Sequence, residues 1–377
     1  MNLARTTKMM KTAGKSVLRH GQKGRLPLRA SSSFASPPIG DKRSQSIPDH
    51  GNKKQQHEHE HDHEYKHEHE HKQQENEWNN PDGASDPSSY VRYLDGIFEG
   101  MSSSGPVGDY KRTVYELMEI RGGDAIVDIG CGTGADVLAI AELLRSANNN
   151  ENADVVAAGG KVSNGKVVGV DISDTMIQAA QNNVSKSGGD EKAKANIAVE
   201  ISFCTGNAEN LGDMFPSDSF DICRCDRSLQ HVPHPQAAIH EMVRITKPGV
   251  GRIVISEPDW ETLVIDSPSH ATTTRSILQH FTNTRVNGWM GRQLQRLLKS
   301  SEGIVADSVR VLPMTSPVND LRFLRDAYLN KARRLAIEAS VVTEQEASDW
   351  MEELVALDEA DMFFSTLTIY VARANVR

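Results

Sequence analysis

Two short stretches of this 377-residue chain hold residue types that could do chemistry together. The first is Asp128-Ile129-Gly130-Cys131-Gly132-Thr133-Gly134, at the end of an apolar run that begins at Ala125. A helix-forming segment, Ala135 to Arg145, follows directly. Glycines between a strand and a helix let backbone N–H groups approach a ligand at the helix N-terminus, a nucleotide-binding arrangement. The second stretch is Asp226-Arg227-Ser228-Leu229-Gln230-His231, after the apolar run Phe220–Cys225. His231 has the ordinary pKa of a proton acceptor, needed only where the reacting group arrives protonated. Standing before Val232-Pro233, it reads equally as the residue that holds the turn. Arg227 offers a fork of donors to an anionic substrate, or pairs with a neighbouring carboxylate. His231 and Arg227 are the candidate catalytic residues. Asp226, Glu257, Asp259 and Trp260 are the candidate substrate-side residues, although Trp260 suits a core equally well.

These residues need elements that bring several strand ends to one place. The pattern predicts a helix from Asp109 to Ile120, with Tyr110, Val114, Leu117 and Met118 on one side. Strands are expected at Ala125–Ile129, Lys166–Asp171, Ala198–Cys204, Phe220–Cys225 and Arg252–Ser256. Helices are expected at Ala135–Arg145, Thr175–Val184 and Pro235–Thr246. Such alternation predicts an α/β fold with a doubly wound, Rossmann-like parallel sheet whose ligands sit beyond the carboxyl ends of the strands. A sixth strand at Ser308–Leu312 and an antiparallel edge strand at Thr366–Ala372 complete seven. Loops 146–165 and 185–196 run from helix to strand, on the side away from the ligand. Segments of about 259–300 and 313–363 leave from the ligand side and are expected to form a helical cap; a side-docked hairpin is the alternative. One cap helix carries Leu321, Leu324, Tyr328, Ala332 and Leu335, and another opens at a capping box, Thr343 with Glu346. Cys223 and Cys225 are expected on opposite faces of their strand and not to bind metal.

The glycine turn can be read in two frames. Gly130-x-Gly132-x-x-Ala135 meets the loose dinucleotide fingerprint. Asp128-x-Gly130-x-Gly132-x-Gly134 resembles the first motif of class I S-adenosylmethionine-dependent methyltransferases. Asp171 ends the second strand, where that family holds the ribose hydroxyls. Gly206-Asn207-Ala208-Glu209 ends the third, where it meets adenine. The stretch from Ser219-Phe220-Asp221 to Lys247-Pro248-Gly249 resembles the family's fourth strand, helix and turn. The chain is similar to the type 11 and ubiquinone/menaquinone group of small-molecule enzymes over about 109–260, and more loosely through Asn287–Arg292 and the carboxyl-terminal helices. This resemblance implies that S-adenosylmethionine is held by Asp128, Gly130, Cys131, Gly132, Thr133, Gly134, Asp171, Ile172, Met176, Asn207, Ala208 and Glu209. It implies in-line methyl transfer to a small organic acceptor. Asn207 stands where the family usually has Asp, and Gly249-Val250-Gly251 replaces a double glycine. Two other readings stay open: an NAD(P)-dependent oxidoreductase on the same sheet, and a non-catalytic metal-binding protein.

Composition narrows the partners. Residues 1–85 carry 14 basic and 11 acidic side chains, while residues 86–377 carry 28 and 40. So acidic a folded part is a poor partner for nucleic acid, where binding rests on neutralising phosphates. No adenine-N6 NPPY or DPPY tetrapeptide and no cytosine-C5 Pro-Cys pair occurs. A small-molecule acceptor is expected, with no nucleic acid and no transmembrane segment. Residues 1–40 hold eight Lys or Arg and no acid, which is typical of a mitochondrial or plastid transit peptide; the alternative is a basic tail on a cytoplasmic protein. Residues 41–85 read as a disordered linker whose His57–Lys72 tract, with seven His, has incidental metal affinity. Residues 86–377 are the expected enzyme domain. Four cysteines without a CxxC make no disulfide framework.

Overall fold

The computed structural model describes residues 106–157, 164–186 and 199–377. The transit-peptide and His-tract expectations lie outside the described residues, as does the start of the expected domain at 86.

Helix α1 (Pro106–Met118) precedes β1 (Ala125–Ile129), α2 (Ala135–Ala157), β2 (Lys166–Asp171), α3 (Asp174–Lys186), β3 (Glu200–Thr205), β4 (Ile222–Asp226), α4 (Pro235–Ile245) and β5 (Arg252–Ile265). Then come α5 (Ala271–Asn283), α6 (Met290–Ser300) and β6 (Arg310–Pro317). Helix α7 (Leu321–Leu324) passes through a π-helical turn (Arg325–Leu329) into α8 (Asn330–Glu338), and α9 (Glu344–Glu359) leads to β7 (Ser365–Asn375). The sheet order is β3-β2-β1-β4-β5-β7-β6, parallel from β3 to β5, with β7 antiparallel to both neighbours.

Strands β1, β2 and β4 and the first nine residues of β5 are largely buried because helices cover both faces, as a parallel sheet requires. Ile126, Val167, Ile222 and Val254 meet Tyr110, Val114 and Met118 of α1 and Val137, Ile140 and Leu144 of α2. On the other face, Val127, Ile129, Ile253 and Ile255 meet α4 and α6. Cys223 and Cys225 both lie in this second layer, not on opposite faces as expected. Residues two apart on a strand share a side.

Three boundaries depart from the pattern. Helix α2 runs to Ala157, through what reads as a loop from Ser146. Asn148 explains it: fully buried, it accepts from the Gly123 N–H at 2.7 Å and donates to the Asn164 carbonyl at 2.8 Å. That anchoring outweighs the poor helix propensity of asparagine. Strand β5 extends nine residues beyond Ser256 because β7 pairs with it as far as Asp259 and again from Val264, around a bulge. Residues 259–265 are therefore strand, not cap. Strand β7 is interior and β6 is the edge. Val371, Ala372 and Ala374 are fully buried, whereas β6 alternates between exposed and half-buried residues, the character of an edge.

The helices of the expected cap also divide. Helix α6 joins α4 on the sheet. The others surround the β5 extension: Trp260, Leu263 and Ile265 pack with Ile277 and Phe281 of α5, Leu324 of α7, Ala332 of α8 and Trp350 of α9. The capping box at Thr343 and Glu346 forms with both bonds.

Candidate active site

The glycine turn lies where the sheet predicts a ligand, beyond the carboxyl ends of β1 and β2. Gly130, Gly132 and Gly134 all have positive φ, at 75°, 53° and 80°. The N–H groups of Gly130 and Cys131 donate to the Val170 carbonyl at 2.7 and 2.9 Å, tying the turn to β2. Asp171 accepts from the Gly132 N–H at 2.9 Å and from the Ser173 N–H at 3.0 Å. Among the described residues, a Cβ on Gly132 would meet nothing within 4 Å. Thr133 is fully buried, and its hydroxyl has no hydrogen-bond partner among the described residues. Ile172 is 58% exposed beside Asp171, an apolar face at the sheet end.

Other expected contacts are committed elsewhere. Cys131 is buried among apolar residues, and burial pushes its thiol well up. Met176 is buried and its N–H is capped by Ser173. Asn207 accepts from the Glu209 N–H at 2.9 Å, an Asx turn that keeps one lone pair for a ligand. Ala208 is packed against the α4 layer. Glu209 accepts from the His234 N–H at 2.7 Å and so holds the start of α4.

Beside the turn lies a buried ionic network that sequence reasoning missed. Arg224, in the middle of β4, is 1% exposed. It donates to Asp128 at 2.7 Å and to Asp136 at 2.8 Å, and lies 3.1 Å from Asp226. Lys111 of α1 bridges Asp136 and Asp226, the latter at 2.5 Å. Tyr115 donates to Asp136 at 2.7 Å, and Ser256 to Asp226. Burial raises Asp128 to about 6, against the pull of Arg224. Against the same burial, Arg224 and Lys111 hold Asp136 far below the carboxylate range, and Lys111 and Arg224 bring Asp226 down to about 2. Asp136 opens α2 directly after the glycine turn, and Asp226 closes β4 directly before Arg227. The network therefore couples the two chemical stretches of the sequence. Asp128 is locked inside it, and Asp226 is likewise bound rather than presented to a substrate.

Arg227 adopts a left-handed φ of 55°, an uncommon conformation for a non-glycine residue and one that collects at functional sites. Its Nε lies 3.6 Å from Asp226. His231 ends a short 3-10 turn, half-buried. Desolvation, then Arg285, Lys331 and Arg227, holds its pKa well below the ordinary value. It is a neutral hydrogen-bonding group at pH 7 and a weak base.

Glu257, Asp259 and Trp260 prove to be buried strand residues with structural partners. Glu257 is fully buried and accepts from the Leu229 N–H at 2.6 Å, fixing the turn after β4; burial lifts it to about 8. Asp259 pairs twice with Arg292 of α6, once at 2.9 Å. Trp260 donates to Gln230 at 2.7 Å and meets Phe281 and Tyr328 edge-on. The extension of β5, invisible to local pattern, is the reason.

A seven-stranded α/β sheet with an antiparallel strand inserted before the edge, and a glycine turn above an acidic strand end, defines a class I, Rossmann-like methyltransferase architecture. A model of the family described as a methyltransferase domain matches residues 120–311, and the chain belongs to that family of S-adenosylmethionine-dependent enzymes. It is 29% identical over 291 residues to an uncharacterized 37.1 kDa protein in transposon TN4556 of Streptomyces fradiae, covering 76% of this chain and 71% of that one. Over 148 residues it is 32% identical to the ubiquinone/menaquinone biosynthesis C-methyltransferase UbiE of Pseudomonas putida. That match covers 39% of this chain and 47% of UbiE, about half the relative's length. Among solved structures, the YcgJ protein of Bacillus subtilis is similar with a TM-score of 0.44 and 16% identity, over 70% of this chain and 97% of that one.

Proposed function

We propose that this chain transfers a methyl group from S-adenosylmethionine to a small organic acceptor by in-line displacement. The observation that carries the reading is the glycine turn over Asp171, which includes Thr133, a buried hydroxyl with no hydrogen-bond partner among the described residues, with exposed Ile172 beside Asp171. These residues fit the cofactor's parts. Asp171 is a carboxylate at the strand end, suited to a ribose diol, Ile172 offers an apolar face for the base, and Asn207 a carbonyl for the adenine amino group. Thr133 and the turn's backbone suit the amino-acid tail. Asp128 acts through Arg224, as a support for the turn. Bound there, the cofactor would supply a methyl group on a sulfonium sulfur for transfer to the acceptor. The chain's own part is alignment and water exclusion. His231, kept neutral, orients rather than deprotonates.

The sheet favours this reading over a dinucleotide oxidoreductase, whose usual order is 3-2-1-4-5-6 without the inserted antiparallel strand. Calorimetric competition between S-adenosylmethionine and NADH on the full chain tests it. Asp171→Ala is expected to weaken S-adenosylmethionine by roughly ten- to a hundredfold, the loss of a charge-assisted pair of bonds. Tighter NADH binding, or no effect of Asp171→Ala, overturns the reading. Methyl-labelled cofactor supplied with an extract should label lipid or aqueous small molecules; label in macromolecules alone would exclude a small acceptor.

A further inference from the structure

Resting on the methyltransferase reading, we infer that Asn287 is a positioning residue for methyl transfer, clipping in place the turn that carries Arg227 and His231 and abuts the glycine turn. The turn after β4 holds itself poorly. It is a single 3-10 turn, Leu229–His231, whose N-cap Ser228 makes no side-chain cap bond, and Arg227 before it is left-handed. So short an element leaves most of its backbone groups to be paired from outside. Asn287, between α5 and α6, supplies three of those bonds. Its N–H donates to the Gln230 carbonyl at 3.2 Å, and its Nδ2 donates to the carbonyls of Leu229 at 3.1 Å and Val232 at 2.7 Å. An amide NH2 carries two donors in one plane, so a single side chain fixes both of these carbonyls at once.

The clip is itself seated on two elements. Gly288 passes so close to α5 that a Cβ would lie 2.2 Å from the Thr282 carbonyl oxygen. Gly291, at the start of α6, passes so close to β5 that a Cβ would lie 2.8 Å from the Glu257 carbonyl oxygen. The Gly288 carbonyl accepts from the Trp260 N–H at 2.9 Å, and Arg292 pairs with buried Asp259 at 2.9 Å. The stretch Asn287–Arg292 thereby acquires a role as one unit. Its glycines and its ion pair bind it to α5 and β5, and the asparagine at its head reaches the turn.

The same turn meets the cofactor side. The Ser228 hydroxyl donates to the Gly130 carbonyl at 3.3 Å, and the Arg227 N–H donates to the Ser256 carbonyl at 2.7 Å. Loss of the clip therefore loosens the turn where it abuts Gly130, while the bonds that tie the glycine turn to β2 and Asp171 stay in place. In-line transfer is sensitive to such loosening, since a misplacement of about 1 Å can cost about a hundredfold in rate. Rate and cofactor affinity should then separate in a variant that lacks the clip.

The test compares Asn287→Ala with Asn148→Ala in the full-length chain. Each removes an asparagine side chain that makes two bonds to the backbone. Asn148 makes its bonds just before β1 and β2, at the end of the sheet away from the glycine turn. Methyl-labelled S-adenosylmethionine is supplied with a small-molecule extract, and the transfer rate, the cofactor's KM and stability to urea are measured. A parent chain that transfers no label removes the methyltransferase reading, and this inference with it. Given transfer, Asn287→Ala is expected to lower the rate at saturating cofactor roughly ten- to a hundredfold, with the cofactor's KM within about twofold. Asn148→Ala is expected to lose stability but, where folded, to keep its rate within about twofold. Asn287→Ser and Asn148→Ser, each with one hydroxyl donor, repeat the comparison where an alanine variant does not fold. An unchanged rate in the Asn287 variant, or equal rate losses at the two positions, refutes the assignment and leaves the methyltransferase intact.

Discussion

Alanine at Gly130 and at Gly132 should do different kinds of damage, although the two positions are separated by one residue. A Cβ on Gly130 would lie 2.0 Å from the Ser228 Oγ and 2.5 Å from its Cβ. The hydroxyl can rotate away, but the Cβ moves only if the turn after β4 moves. Overpacking of this kind costs about 1–3 kcal/mol. The left-handed φ of 75° adds about 1–2 kcal/mol for a residue with a side chain. Gly130→Ala is therefore expected to lose about 2–5 kcal/mol of stability, measurable by urea unfolding. Gly132→Ala meets no atom within 4 Å, so it should lose only the conformational part, about 1–2 kcal/mol. On the proposed reading its methyl group stands where the cofactor's tail would lie, however, and S-adenosylmethionine affinity should fall by about tenfold or more. Ser228→Gly removes both clashing atoms. In the cycle Gly130→Ala, Ser228→Gly and the double variant, the pair should couple favourably by about 1–3 kcal/mol. Equal stability losses for Gly130→Ala and Gly132→Ala, or an additive cycle, would refute the contact between the two turns.

Three further outcomes follow from the same structure. Arg224→Met leaves Asp128, 1% exposed, and its neighbours without their guanidinium, so a stability loss of about 3–5 kcal/mol is expected by urea unfolding; a loss below about 1 kcal/mol would show the network to be hydrated. Glu257, raised to about 8 by burial, keeps a proton in the folded chain that the unfolded chain releases near about pH 4.3. The folded state then binds more protons in that window, and this group's contribution to stability falls as pH rises, by up to about 1.4 kcal/mol per pH unit. Glu257→Gln should flatten the fall in Tm between pH 5 and 8 relative to the parent, and parallel curves would refute the assignment. Residues 1–40 fused to a fluorescent protein are expected to enter mitochondria or plastids, and a diffuse cytoplasmic signal would contradict that reading.

What the sequence disclosed depended on how far apart the deciding residues lie. Strands β1 and β2 were readable to the residue, because each is a continuous apolar run flanked by punctuating residues within a few positions. The capping box of α9 is likewise local, three residues from donor to acceptor. The extension of β5 was not local. Its partners, such as Thr368 opposite Asp259, lie over a hundred residues away, and no periodicity in 257–265 announces a ladder to a strand at the chain's end. The buried strand setting of Glu257, Asp259 and Trp260 was hidden by that single gap. The glycine turn at Gly130–Gly134 and the strand end at Asp171 lie together as their spacing predicts, because the turn imposes its own geometry. Met176 lies in the start of α3 and Glu209 reaches the start of α4, where the Met176 N–H and the Glu209 carboxylate take hydrogen bonds.

Arg224 shows why the residual misfit is informative. A guanidinium in the middle of a central parallel strand contradicts the pattern that makes the strand recognisable, and it is tolerated only because three aspartates surround it. Each aspartate comes from a different element: β1, the first turn of α2, and the end of β4. Apolar residues in place of the arginine and its aspartates together would suit the core as well, since a buried ionic group rarely stabilises more than a hydrophobic replacement of similar volume. What an apolar residue could not do is fix the start of α2 and the end of β4 in one orientation, with Lys111 of α1 joined to both. The glycine turn and the Arg227–His231 turn are therefore positioned by one shared set of charges. Cofactor side and acceptor side should then lose their alignment together when Arg224 is replaced: kcat should fall by more than cofactor affinity, a split that general loss of stability does not produce.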